Sequence, residues 1–150
     1  MKFYIATDHA GYALKEFTKQ YVLELGHDII DLGPENADRV DYPDFAKKCA
    51  DAVIANEGSF GILICGTGIG ISIAANKVNG IRAALCHDAY TASATRAHNN
   101  ANILCFGERV VGKGVVESMI DAFCSTEFEG GRHANRVGKI EACSLGSKLG

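Results

Sequence analysis

The segment from Gly61 to Lys77, GILICGTGIGISIAANK, ends an apolar run in a thiol followed by three glycines at alternate positions. Ile62, Leu63 and Ile64 are consecutive, β-rich and too few for a helix, which predicts a strand buried on both faces. Cys65 then stands at its carboxyl end. Gly66, Gly68 and Gly70 let the backbone turn tightly and approach a ligand, and the helix expected after them leaves its first amide N–H groups unpaired. Such amides attract anions. Their partial positive charge also favours the thiolate of Cys65. A base beside an anion hole is a catalytic arrangement.

Three familiar glycine loops do not fit these letters. A dinucleotide fingerprint needs glycine at the sixth position of G-x-G-x-x-G, which counted from Gly66 is Ile71. A P-loop needs Lys and then Ser or Thr after its last glycine, whereas Gly70 is followed by Ile71 and Ser72. A cysteine phosphatase cradle wants an arginine about six residues after the thiol to clamp phosphate bidentately, and Ile71 stands there too.

These residues must be positioned by one domain spanning residues 1–150, long enough to bury about 70% of the surface its unfolded chain exposes. The formal charge is −3 and the basic residues are dispersed, so neither a nucleic-acid partner nor a membrane surface is indicated. The opening MKFYIATDHAG is too short in its apolar part for a signal peptide, and no apolar run approaches a membrane span, so a cytoplasmic protein is expected. Six cysteines, at 49, 65, 86, 105, 124 and 143, form no C-x-x-C pair, which argues against a zinc site and a redox motif. Apart from Cys65 they read as small buried groups, Cys86, Cys105, Cys124 and Cys143 among them as core thiols.

Short β-rich runs alternate with helical patterns. Phe3 to Ala6, Asp28 to Leu32, Phe60 to Cys65, Arg82 to Cys86 and Ile103 to Phe106 read as strands, and this alternation predicts a parallel sheet with helices on both faces. Leu14, Phe17, Tyr21 and Leu25 recur at helical spacing, with Gly26 as a C-terminal cap. A second helix starts near Pro43 and runs to about Asn56. Ala89 to His98 and Val115 to Cys124 supply two more. After the Gly130-Gly131 break, Asn135 to Leu149 reads as a C-terminal helix packed on the domain or on a neighbour.

In open parallel sheets, ligands bind beyond the carboxyl ends of the strands. Thr7-Asp8-His9, Cys65-Gly66-Thr67 and Gly107-Glu108-Arg109 all fall there, so an acid, an imidazole, a thiol and a guanidinium share one edge. Singly, Asp8 also reads as a helix N-cap and Arg109 as a surface charge. His98 and Asn99, just before the fifth strand, belong at the opposite, amino edge, roughly 13 Å from Cys65 in the same subunit. A catalytic His98 therefore requires a second subunit to present it; the alternative is a cation at a helix C-terminus. Arg132 and Arg136, four apart after the double glycine, face one way on a helix and can grip a phosphate together.

The stretches T-D-H-A-G-Y-A-L-K, D-Y-P at Asp41 to Pro43, C-G-T-G-I-G-I-S-I-A-A-N-K, G-I-R-A-A, H-N-N-A-N with a following G-E-R, and E-G-G-R-H-A-N-R-V-G-K-I together resemble the ribose-5-phosphate isomerase B family, which includes galactose-6-phosphate and allose-6-phosphate isomerases. The resemblance spans nearly the whole chain. It implies a three-layer αβα sandwich with a five-stranded parallel, Rossmann-like sheet, working as a homodimer or tetramer with a shared active site, no cofactor and no metal. It implies Cys65 as the base that removes the C2 proton of ribose 5-phosphate, Thr67 moving a proton between the two oxygens, and the amides of Gly66, Gly68, Ile69 and Gly70 holding the enediolate. His98 is then the ring-opening acid/base with Asp8 assisting, Asn99 a hydroxyl ligand, and His9, Arg109, Arg132 and Arg136 the phosphate ligands, with Tyr42 lining the pocket.

Where many relatives carry H-N-D-A-N, this chain has Asn100, which removes a negative charge near His98. Some relatives use a glutamate as base; the cysteine at position 65 indicates the thiol-dependent branch. Alternatives are a hexose 6-phosphate substrate and a phosphosugar-binding module without turnover. A metal-dependent hydride shift is disfavoured, because no cluster of acids and imidazoles shows ligand spacing in the sequence.

Overall fold

The computed structural model describes residues 1–146. Strands β1 (Lys2–Thr7), β2 (Asp28–Asp31), β3 (Phe60–Cys65), β4 (Ala83–Leu85) and β5 (Ile103–Gly107) form one sheet in the order β2-β1-β3-β5-β4, and every pair is parallel. The expected ends of β4 lie outside the regular strand yet still pair: Asn102 N–H donates to Arg82 O at 3.1 Å and Cys86 N–H to Cys105 O at 3.0 Å.

Helices α1 (Tyr12–Glu24), α2 (Tyr42–Ala55), α3 (Ile69–Ala75), α4 (Ala89–Asn99), α5 (Lys113–Ser125) and α6 (Arg132–Gly146) connect and cover the strands. Side-chain alternation along each strand divides the interior into two layers. Ile62 and Ile64 pack with Leu14 and Val22 of α1, Ala92 of α4, and Val116, Met119 and Phe123 of α5. Leu63 and Cys65 turn to the other face, against Ala46, Cys49, Ala50 and Val53 of α2 and Ile71 and Ala75 of α3. The result is the parallel sheet with helices on both faces expected from the alternation, and the three-layer αβα sandwich that the resemblance implies. Among the described residues no helix is long and apolar enough to cross a membrane.

Two differences concern the tail. Helix α6 starts at Arg132, three residues before the expected Asn135, directly after Gly130 and Gly131 with φ of +66° and +55°. Its first turn is fastened by the buried His133, a residue that an apolar pattern does not count. Leu149, the last apolar position of the expected segment, lies outside the described residues. Cys143 is not a core thiol: it is exposed on α6, its S–H directed at Lys139 O 3.2 Å away, although Glu141, two residues before it, reaches Arg82 at 2.6 Å. Cys49, Cys86 and Cys105 are buried as expected, and Cys124 is half-buried.

Candidate active site

Chain reversal across the sheet sets where a ligand can sit. From β1 the chain goes to β2 on one side and then returns to β3 on the other, so the crevice between the β1 and β3 ends is a topological switch point. Asp8 N–H donates to Ile64 O at 3.2 Å and Glu108 N–H to Cys65 O at 2.9 Å, so the loops after β1, β3 and β5 are tied together beyond the strands. Glu108 Oε1 also accepts from Leu14 N–H at 2.6 Å, fixing α1 to the loop after β5.

Cys65 is 5% exposed, and its sulfur turns back toward the loop, where Gly68 N–H donates to Sγ at 3.1 Å. Gly68 adopts φ +80°, a left-handed conformation that suits glycine. An added Cβ at Gly68 would also stand 2.6 Å from Leu85 Cδ1 and 2.7 Å from the Phe106 carbonyl carbon. Ile69 N–H donates to Thr67 Oγ1 at 3.1 Å, which fixes that exposed hydroxyl over the turn. Two of the amides expected to hold an anion are thus already engaged, one by the sulfur and one by Thr67. Gly70 and Ile71 carry further first-turn N–H groups.

The rim is built from distant segments. The Arg109 guanidinium lies over the loop, its Nη1 3.1 Å from where a Gly66 Cβ would stand, and it forms no ion pair among the described residues. Tyr42 opens α2 and lays its ring against Gly70, 2.6 Å from the corresponding Cβ position. Asp8 is an N-cap, its Oδ1 accepting from Ala10 N–H at 2.9 Å and Gly11 N–H at 3.2 Å, and it is buried. Val40 N–H donates to His9 Nδ1 at 3.2 Å, joining the β1 end to the long segment before α2. Asp8, His9, Tyr42, Cys65, Gly66, Thr67, Gly68, Ile69, Gly70 and Arg109 therefore form one group at the carboxyl edge.

His98, Asn99, Arg132 and Arg136 form a second group. Gly61 pairs with Ile103 and Cys65 with Gly107, so β5, five residues at about 3.3 Å each, separates the α4 C-terminus from the thiol loop. His98 stacks on His133 with ring centroids 4.4 Å apart and an interplanar angle of 16°. Glu129 lies 4.0 Å from both Nε2 atoms. Burial first, then the neighbouring His98 and Arg132, pushes the His133 imidazole below its usual range. Arg132 and Arg136 are exposed on successive turns of α6. Asn99 O accepts from Arg82 Nε at 3.1 Å, and Asn99 lines a cavity of about 420 Å³ with Arg82 and Glu141, an ion pair at 2.6 Å.

Several contributors escaped the sequence reading. Asn100 does not face His98: it adopts φ +47° as the left-handed cap of α4, and its Oδ1 accepts from the buried Arg96 at 3.1 Å. The carboxylate beside His98 is Glu129. The expectation that acids and imidazoles form no ligand-spaced cluster is likewise corrected, since ligand atoms of His98, Glu129 and His133 lie within 4.8 Å of one another. The i,i+4 spacing of Glu129 and His133 was the available signal; their meeting with His98 depends on α6 docking against α4.

Comparison with known proteins follows this geometry. The family described as Ribose/Galactose Isomerase matches residues 3–140. Ribose-5-phosphate isomerase B of Escherichia coli is 47% identical over 135 residues, covering 90% of this chain and 91% of that protein. The solved structure of Clostridium thermocellum ribose-5-phosphate isomerase B is 50% identical with a TM-score of 0.93, each chain fully covered. The type B ribose 5-phosphate isomerase of Trypanosoma cruzi is 48% identical with a TM-score of 0.93, covering 97% of this chain and 99% of that one. With a family match from Phe3 to Ile140 and relatives aligned almost end to end, this chain belongs to the ribose/galactose isomerase family.

Proposed function

We infer that this chain is an aldose–ketose isomerase interconverting ribose 5-phosphate and ribulose 5-phosphate through an enediolate. The observation that carries the inference is Cys65 at a strand end, its sulfur accepting the Gly68 amide inside a glycine loop beneath Arg109. Relatives that bear the name ribose-5-phosphate isomerase B, aligned over nine-tenths of the chain, support the same substrate.

A hydrogen on the carbon next to a carbonyl is weakly acidic, so a base must act while the oxyanion is stabilised. Cys65 takes the C2 proton as thiolate, and the electron pair moves toward O1 to give the enediolate. Loop amides hold its charge. Thr67, oriented by the Ile69 N–H, passes a proton from O2 to O1, and the Cys65 thiol returns hydrogen to C1, which completes the ketose. His9 and Arg109 bind phosphate from one side, and Tyr42 closes the pocket against Gly70.

Ring opening needs an acid/base group at the sugar, the role given to His98 with Asp8 assisting. With β5 between His98 and Cys65, a partner subunit supplies His98, Asn99, Arg132 and Arg136 in this reading, which makes the working unit a homodimer or tetramer. It acts in the cytoplasm and uses no metal. Turnover of ribose 5-phosphate in the presence of a strong chelator is the expected result. Preference for allose or galactose 6-phosphate moves the assignment to six-carbon substrates, and binding without turnover of any of them overturns the enzymatic reading.

A further inference from the structure

The stretch G-I-R-A-A carries an arginine that isomerisation as derived above leaves unused. Arg82 stands just before β4, and its backbone is fixed there: its N–H donates to Asn102 Oδ1 at 2.8 Å, and its O accepts from Asn102 N–H at 3.1 Å. Its side chain is 17% exposed, so the charge is kept from most of the solvent and needs partners in the protein. All three guanidinium nitrogens have them. Nε donates to Asn99 O and Asn100 O, both at 3.1 Å, Nη2 to Asn100 O at 3.0 Å, and Nη1 to Glu141 Oε1 at 2.6 Å.

The carbonyls it takes are at the end of α4, where no intrahelical partner remains and the helix dipole favours a cation. Closing that helix does not by itself call for Arg82. Asn100 already does so at φ +47°, its N–H donating to Thr95 O, while Arg96 Nη1 donates to Asn100 Oδ1 at 3.1 Å and to Ala101 O at 2.8 Å. What Arg82 adds is a tie between two elements. It holds the peptide groups next to His98 and, through Glu141, the helix that carries Arg132 and Arg136. A planar guanidinium fork fixes carbonyls and a carboxylate together, which an ammonium on a flexible stem does not.

We propose that Arg82 is a positioning residue of the shared site, holding His98 and Asn99 in register with Arg132 and Arg136 of the same chain. This role rests on the substrate contacts given to those four residues above. Arg82 touches no substrate. It sets the spacing between the ring-opening group and the phosphate grip, where a displacement of about an ångström is costly.

The test is subunit mixing, because a site built from two chains separates positioning of His98 from general damage to a chain. Arg82→Gln should keep the wild-type circular dichroism yet lose about 10²-fold in kcat/KM for ribose 5-phosphate. Mixed with Cys65→Ala chains it should regain about a quarter of wild-type activity, since in half the dimers its thiol meets an undamaged His98. Placed on the Cys65→Ala chain instead, Arg82→Gln should abolish the recovery that Cys65→Ala gives with His98→Asn. If Arg82→Gln does not fold, Arg82→Lys, which keeps the charge and loses the fork, is read by the same mixing. Unchanged kcat/KM in a folded variant overturns the proposal. So does recovery of Cys65→Ala by His98→Asn but not by the Arg82 variant, because the damage then extends to the thiol loop of its own chain. If Cys65→Ala and His98→Asn chains fail to complement each other, the shared site of the proposed function falls, and the positioning role falls with it.

Discussion

Gly68 N–H donates to Cys65 Sγ at 3.1 Å, so the residue that shapes the turn is also the one that holds the thiol. The bond closes a ring through the four residues from Cys65 to Gly68. The sulfur cannot swing into the core without losing it, and beyond the donor the chain enters α3 through a left-handed residue, φ +80°.

Gly68→Ala therefore tests the turn. A methyl group would be forced into a left-handed conformation and against Leu85 and Phe106. The expected outcome is a loss of about 1–3 kcal/mol in stability and about 10²-fold in kcat, because a misplaced base costs more than the fold does. Thermal unfolding and steady-state kinetics measure both; unchanged kcat would show that the amide does not position the sulfur.

Subunit complementation tests the shared site. Cys65→Ala and His98→Asn chains, each inactive alone, should regain about a quarter of wild-type activity when mixed as dimers, since half the dimers are hybrids with one intact site. No recovery from folded variants that demonstrably exchange subunits contradicts a His98 supplied by the partner.

The Asp31 cluster sets an acid limit on stability. Lys15 Nζ, whose side chain is 1% exposed, meets Asp31 at 3.1 Å, and Lys19 meets the other carboxylate oxygen at 2.8 Å. Burial raises the Asp31 carboxyl, but the bonds from Lys19, the Gly33 amide and Lys15 outweigh it, and the net shift is downward. A carboxyl lowered by folding contributes stability that is complete above its unfolded value of about 3.9 and is lost as pH falls through the lower folded value. Asp31→Asn should cost about 2 kcal/mol at pH 7, and the difference from wild type should shrink below about pH 4. Denaturant titrations at pH 7 and pH 3 measure this; an equal difference at both would contradict an ionised Asp31 as the cause.

Thiol chemistry separates surface from core. Burial pushes Cys49 up to about 12 and Cys86 up to about 11, and Cys105 well above its ordinary value. Iodoacetamide at neutral pH should label the exposed Cys143 and then Cys65, leaving Cys49, Cys86 and Cys105 unmodified until the protein unfolds. Mass spectrometry of partly labelled protein reads the order, and early labelling of Cys105 would contradict the packing described.

Much of this was legible because local signals and tertiary structure agree. The run from Phe60 to Cys65 becomes β3 with the expected boundaries, and Pro43 sits in the first turn of α2, where its missing N–H is no loss. Gly26 follows α1 with φ +86°. Failures came where a long-range contact decides. Helix α6 begins early because a buried imidazole fastens its first turn, and imidazoles carry no weight in an apolar pattern. Cys143 had the composition of a core residue but stands exposed on α6, which meets the rest of the domain through His133 and Glu141. Asn100 was expected near His98 from adjacency, yet the left-handed cap turns its side chain to Arg96, whose guanidinium lies over Phe60 and Phe123.

Isotope exchange at C2 of ribose 5-phosphate tests the central claim most directly, comparing wild type with Cys65→Ala in deuterated water. The account predicts that the variant folds and still binds the phosphosugar while exchange falls by about 10³-fold or more. Exchange at the wild-type rate would contradict the sulfur's role as the base.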